Sequence, residues 1–353
     1  MEDDEIEETM RSMFRMTFCG SCTRAVFCRI GFAASVVCMF LCSFLQYVDT
    51  LEHSFEDPTV DPSAILARLT DLFISGGALA SAPFLCLFTQ YPLLGRLDSL
   101  LVGCACLDAA KRNQRSLRKN APYLGSFIVG VALRFVAERC LYGGTWPARV
   151  IGMHGAAVFR TMTFAFSIAA LLVVARLLQA LGDIMVILID SYGSRSVFGL
   201  ADPVELRRDW NVMQAKCRQA TIRCEPYIAI LVVTVTLCMT TSLLAPASAS
   251  PGQLRDFWGL IFTMPLAIIT MRFFVRAAEV TALCRRIPSL LSSSDAMTME
   301  ADERFLLVHH IQISNPGFYV REVIISTSML MKTGHIMLVA ASAILSRYVI
   351  SDI

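Results

Sequence analysis

Seven long, mainly apolar segments run through these 353 residues, joined by loops that alternate between basic and acidic. That alternation constrains the fold more than any single motif. Hydrocarbon offers no partner to a backbone N–H or C=O, so a stretch of about 20 apolar residues satisfies itself there only by becoming a helix. The segments are Ile30–Val48, Ala67–Tyr91, Tyr123–Tyr142, Ala156–Leu188, Tyr227–Leu244, Phe257–Ala278 and Ile324–Tyr348. With 55% hydrophobic and only 17% charged residues, the composition lies outside soluble usage and makes lipid the expected solvent. The opening MEDDEIEE is acidic where a cleaved signal needs a basic stretch, so the first segment is expected to be a span.

Lys and Arg in the short loops set the orientation. Arg96, Lys111, Arg112, Arg115, Arg118 and Lys119 follow the second segment, and Arg195, Arg207, Arg208, Lys216, Arg218 and Arg223 follow the fourth. Both loops are expected in the cytosol, as is the connection from sixth to seventh with Arg285, Arg286, Arg304 and Arg321. Asp49, Glu52, Glu56, Asp57 and Asp61 follow the first segment with no basic residue among them, and Ala245–Asp256 holds only Arg255. These face outside. The fold class is therefore all-α, polytopic, with seven transmembrane helices, a cytosolic amino terminus and an extracellular carboxyl terminus. It forms one membrane domain: a cytosolic segment over 1–24, spans one to six with extensions over 25–291, and a linker with a split seventh helix over 292–353.

Of thirteen cysteines only Cys140 lies near an outside loop, which leaves no extracellular disulfide pair. Cys19 and Cys22 form a CxxC without the second ligand pair that a structural zinc needs. Juxtamembrane palmitoylation fits those thiols better, and inert thiols fit best. No metal or other cofactor is expected. The net charge of +2, spread over many loops, gives no reason to expect nucleic acid. HExxH, GxSxG, P-loop and Rossmann patterns are all missing, so catalysis is not expected.

The cytosolic connections are periodic enough to be helices. Leu93, Leu97, Leu100, Leu101, Cys104 and Leu107 recur every three or four residues, extending the second helix with an apolar stripe. Asp202-Pro203-Val204-Glu205 reads as an N-cap, a first-turn proline and a capping-box acid. Val204, Trp210, Met213, Cys217, Ala220 and Cys224 then share a face. Such a stripe buries itself against protein or lies on the headgroups. Packing among the extensions and on other subunits is expected, with Trp210, Met213 and Cys217 as interface candidates.

Ser292-Ser293-Ser294-Asp295 ends the sixth helix, and Phe305–Ile313 is a short apolar helix broken by Asn315-Pro316-Gly317. The last element is thus a cytosolic half, 303–313, and a membrane half, 322–348. At about 100° per residue, Ser328, Lys332, His335, Val339, Ser342 and Ser346 of the membrane half fall on one face. An ammonium at mid-bilayer costs ~2.5–3.5 kcal/mol on insertion scales. Lys332, about 15 Å from the cytosolic end at 1.5 Å per residue, therefore needs water or protein around it. Two readings stay open: the stripe lines a pore between subunits, or it packs within its own subunit. A second polar group, Asp71, Arg134, Glu138 and Arg160, lies at one depth in the outer half of spans two to four. It is either a grip for a polar or zwitterionic ligand or a structural ion-pair network.

The chain resembles the insect gustatory and odorant receptor superfamily, and in particular its divergent gustatory-receptor-like members. The resemblance rests on seven helices with the amino terminus inside, on long cytosolic extensions, and on the split tail FLLVHHIQISNPGFYVREVIISTSMLMKTGHIMLVAASAIL. The family's tail signature is Thr-Tyr, four apolar residues and Gln-Phe. Here Thr333, Gly334, His335-Ile336-Met337-Leu338, Val339 and Ala340 stand at those positions, so the threonine and the apolar middle match.

The resemblance implies a tetrameric ligand-gated cation channel in the plasma membrane, pore-lined by Ser328, Lys332, His335, Val339 and Ser342, with a small-molecule ligand bound near Asp71, Arg134, Glu138 and Arg160. A ring of lysines disfavours cations, so the residues do not support that selectivity. The rival readings are a monomeric carrier of small solutes and a non-conducting sensor or scaffold.

Overall fold

The computed structural model describes residues 22–56, 62–88, 131–132, 148–197, 202–248, 258–293, 300–314, 317–332, 334–335, 339 and 342. Within them the order is α1 (Cys22–Glu56), α2 (Pro62–Phe88), α3 (Ala148–Val197), α4 (Pro203–Ser248), α5 (Trp258–Ser293), α6 (Ala301–Ile313), β1 (Tyr319–Val320) and β2 (Val323–Ile324). Residues 327–332 are helical again, as are 334–335, 339 and 342. The third expected span, apart from 131–132, and the apolar stripe Leu93–Leu107 lie outside the described residues. By length and composition four stretches suffice to cross a membrane: Ala33–Glu52, Ile65–Phe84, Val158–Ser196 and Pro203–Leu244.

Helix length separates the membrane part from the rest. α3 has 50 residues, α4 has 46 and α5 has 36. At 1.5 Å per residue α3 is about 75 Å long, more than twice a hydrocarbon core of about 30 Å. Each helix therefore runs on past the bilayer, and an apolar core runs on with it: Tyr192, Leu206, Trp210, Cys284, Ile287 and Leu291 are all buried. Expected α4 begins as its sequence dictates. The Val204 amide donates to Asp202 Oδ1 at 3.4 Å, and the Leu206 amide to the Asp202 carbonyl at 2.9 Å.

Contacts at a constant register fix the relative directions. Between α2 and α4, Thr70 Oγ1 and Thr241 Oγ1 share a hydrogen bond of 2.7 Å, Gly77 faces Thr234, and the rings of Phe84 and Tyr227 lie 4.5 Å apart. Each step of seven residues up α2 is matched by seven down α4, so the two are antiparallel and meet every two turns. Between α3 and α5, Gly182 packs on the Arg276 Cβ, Asp183 Oδ1 is 2.9 Å from Arg276 Nε, and Gly193 faces Ile287. The near-constant offset makes that pair parallel. α2 and α4 thus run in opposite directions and α3 and α5 in the same one.

Gly77 marks the closest approach. A Cβ built there would stand 2.4 Å from Thr234 Oγ1 and 2.6 Å from Thr234 Cγ2. Gly77→Ala should therefore destabilise the bundle by ~1–3 kcal/mol through overpacking. Thr234→Ala in the same chain should recover part of that loss. Equal melting of Gly77→Ala and wild type in detergent would mean that α2 and α4 separate at no cost.

The split tail departs from expectation in one respect. The break after Ile313 is present, but the membrane half does not begin at 322. Residues 319–324 form a small antiparallel hairpin, with Tyr319 opposite Ile324 and Val320 opposite Val323. Its turn residues Arg321 (φ 47°) and Glu322 (φ 65°) are both left-handed. That is the twist a two-residue hairpin demands, and neither residue type favours it. Helix resumes only at 327.

Candidate pore helix and ligand site

The helical residues after the hairpin touch their own subunit along one narrow edge. Leu330 and Gly334, one turn apart, are half-buried, whereas Ser328, Lys332, His335, Val339 and Ser342 are all exposed. Among the described residues no other helix covers the polar stripe. Its hydrogen bonds among the described residues are local: the Ser326 and Ser328 hydroxyls share one at 2.9 Å, and Ser342 Oγ donates to the Val339 carbonyl at 2.9 Å. Met331, on a different face, is also 72% exposed. Packing within the subunit, the rival explanation of the stripe, therefore finds no partner among the described residues.

The outer polar group is placed in part. Asp71 is buried on α2 beside Arg68, one turn earlier, at 3.5 Å. Arg160 is buried on α3. Arg134 and Glu138 lie outside the described residues. Arg68 escaped the sequence reading, although its i, i+3 spacing from Asp71 was the available signal. Buried hydroxyls of Thr70, Thr161, Thr241 and Ser242 lie on the same three helices, α2, α3 and α4.

Trp210, Met213 and Cys217 do not face outward as a partner surface would. Trp210 has 0% exposure within the single chain, and Met213 is buried too. The Trp210 ring lies tilted against Tyr192 with centroids 5.2 Å apart, and its Nε1 donates to Ser314 Oγ at 3.0 Å. Gln214 Nε2 donates to the Ser314 carbonyl at 2.7 Å. Ser314 is the last polar group before the helix break, so this pair of bonds ties α6 to α4. Cys217 packs at the edge of the same core. Within the single chain, the face expected to meet other subunits is packed on α3 and on the end of α6. Burial first, and Cys217 nearby second, push the Cys284 thiol up. Among the described residues no cluster of metal-ligating side chains occurs.

What remains open to another copy is a different set of apolar residues. α6 buries Leu307 and Ile311 but exposes Phe305 (69%) and Ile313 (69%), with Leu306 beside them. Val204 and Ile222 on α4 and Val323 on the hairpin are likewise exposed. A helix apolar on two faces is one that is covered on both.

No family model and no curated protein sequence matches the chain. Among solved structures it is similar to the insect olfactory receptor OR5 from Machilis hrabei, at 12% identity and a TM-score of 0.55, over 88% of this chain and 87% of that one. At that identity the likeness speaks for the fold, which is the all-helical, multi-pass membrane architecture of an insect olfactory receptor.

Proposed function

We propose that the chain is a subunit of a ligand-gated ion channel, with the stripe Ser328, Lys332, His335, Val339 and Ser342 facing a path between copies. The carrying observation is that the described residues leave this polar stripe exposed, whereas a polar stripe on a spanning helix needs water or protein. Four copies is the number implied by the resemblance to gustatory and odorant receptors. The similar solved structure is named an olfactory receptor, which fits a ligand-responsive role in the plasma membrane, with the ligand held near Asp71, Arg134, Glu138 and Arg160. A carrier would need its path within one chain, and its polar residues would then face inward.

Oligomeric state tests the reading. Mass measurement of the full chain in mild detergent should find several copies, held through the exposed face of α6. Phe305→Glu together with Ile313→Glu should release monomers without changing the melting of the subunit, because neither side chain belongs to its core. Interface apolar anchors are commonly worth about 2 kcal/mol or more each. A wild-type chain that is monomeric at every concentration removes the channel reading.

A further inference from the structure

The hairpin at 319–324 belongs to a segment that leaves one anchor and returns to it. The anchor is Phe318, whose ring is buried against Phe273 with centroids 5.7 Å apart and whose amide donates to Thr281 Oγ1 at 3.0 Å. Gly317 fits tightly before it, since an added Cβ would stand 3.3 Å from Thr281 Cγ2. At the other end the Ile325 amide donates to the Phe318 carbonyl at 2.9 Å. The chain from 318 to 325 therefore adds almost no length between α5 and the helix that resumes at 327. Drawn out at about 3.3 Å per residue, the same stretch spans roughly 23 Å.

Closure is weakly held and strained at its tip. Two residue pairs and the Ile325 bond make up the ladder, and a two-stranded ribbon is marginal by itself in water. Arg321 Nε lies 3.7 Å from Glu225 Oε1 with the Arg321 side chain 79% exposed, and so exposed a pair contributes little. Arg321 and Glu322 are consecutive left-handed residues, φ 47° and 65°, in a conformation where a Cβ crowds the following carbonyl. Such strain persists only while the surroundings impose it. What opposes release is Ile325, buried at the base of the hairpin.

The seventh helix offers the released strand a place. Leu330 and Gly334 mark the edge along which that helix touches its own subunit. Val323, exposed in the hairpin, precedes Leu330 by seven residues, so a helix continued back to 323 carries it onto that same edge. Covering Val323 and undoing two left-handed residues favour the longer helix, while uncovering Ile325 favours the hairpin. Opposed contributions of this kind define a two-state element. We propose that the hairpin is a clasp: closed, it holds the start of the seventh helix against the Phe318 anchor; open, its second strand joins that helix and frees it to move relative to α5. The opening is independent of conduction, and only its use, to release the pore helix, rests on the channel reading.

Hydrogen exchange of the full chain in mild detergent, read by mass spectrometry over 319–326, tests the clasp. Open, residues 323–326 form the first turn of a helix, whose amides have no partner within the helix, so opening exposes them to exchange. The wild-type segment should exchange about tenfold or more faster than the middle of α6. Arg321→Asn/Glu322→Gly, the residue pair that such a turn favours, should slow it about tenfold. Arg321→Gln alone removes the contact with Glu225 and keeps the strain, so no slowing is expected. Val323→Thr keeps the shape in the exposed hairpin position but is poorer on a covered edge, and should slow exchange about threefold. Because 318 and 325 are bonded, the next pair, 319 and 324, is a non-bonded one of the kind a disulfide can bridge. Oxidised Tyr319→Cys/Ile324→Cys should therefore exchange slowly and recover on reduction. A wild-type segment as protected as α6, or unchanged exchange in Arg321→Asn/Glu322→Gly, overturns the clasp. Unchanged exchange in Val323→Thr overturns the helical open state. The expected exchange in a chain that carries no current overturns the channel reading and leaves the clasp standing.

Discussion

Lys332→Glu should move the reversal potential toward cation permeation by tens of millivolts, roughly, if the uncovered stripe faces a conduction path. The reason is geometric. Each subunit changes by two charges at one level, and near a common axis those changes add in a partly desolvated space where Coulomb interactions are strong. Lys332 is exposed, and so are Ser328 and His335, one turn before it and nearly one turn after it. A cysteine at 332 should then react with a charged thiol reagent applied to open channels. A cysteine at 331 is the control, because that position is exposed yet points about 100° away. Reaction at 332 but not 331 means water on one face and lipid on the other. An unshifted reversal potential with an unreactive cysteine at 332 would place the pore elsewhere or remove it.

Trp210→Ala should cost the subunit itself ~3–5 kcal/mol, the range for removing a large aromatic side chain from a core. Trp210 is fully buried, packs on Tyr192 and donates to Ser314 Oγ at 3.0 Å. Its loss leaves a cavity where α3, α4 and α6 meet and frees the end of α6. Trp210→Phe should retain most of the packing and lose about 1 kcal/mol for the hydrogen bond. The two are separated by melting in detergent at several protein concentrations. A concentration-independent drop in the alanine variant marks a subunit core. Unchanged melting with loss of oligomer would instead make Trp210 an interface residue.

Trp210 also shows where sequence reasoning stops. Its spacing with Val204, Met213, Cys217, Ala220 and Cys224 marks a face to be covered, and four of these six residues are buried while Val204 is exposed. Periodicity reports that a face avoids water but carries no label for what covers it. A neighbouring helix of the same chain and a second copy leave the same pattern. Four of the expected spans, the capped start of α4 and the break after Ile313 were legible because each depends on local chemistry: apolar length, an Asp-Pro start and an Asn-Pro-Gly stop.

The hairpin at 319–324 was not legible. Arg321 and Glu322 lack the Asn-Gly signal of such turns, and the neighbouring Val and Ile read equally well as the start of a span. The Ser314 anchor joins side chains 104 and 100 residues apart, which no spacing rule singles out, whereas the Arg68–Asp71 pair is visible as an i, i+3 spacing. Of the outer group, the sequence located Asp71 and Arg160 in buried positions but could not say which partners each would meet.

The fixed offset between α3 and α5 has a mechanical consequence. Two parallel rods that keep the same partners at Gly182 and again at Gly193 cannot slide without breaking contacts at both levels, so they turn together or not at all. A rod of about 75 Å tilting by ~3° carries its far end ~4 Å. A disturbance at one end of the pair would thus reach the other as displacement of two intact helices, with no melting in between. Near that end it would meet the hairpin, whose neighbouring Phe318 amide is bonded to Thr281 of α5, so motion of the rods would pass there to the helix that resumes at 327.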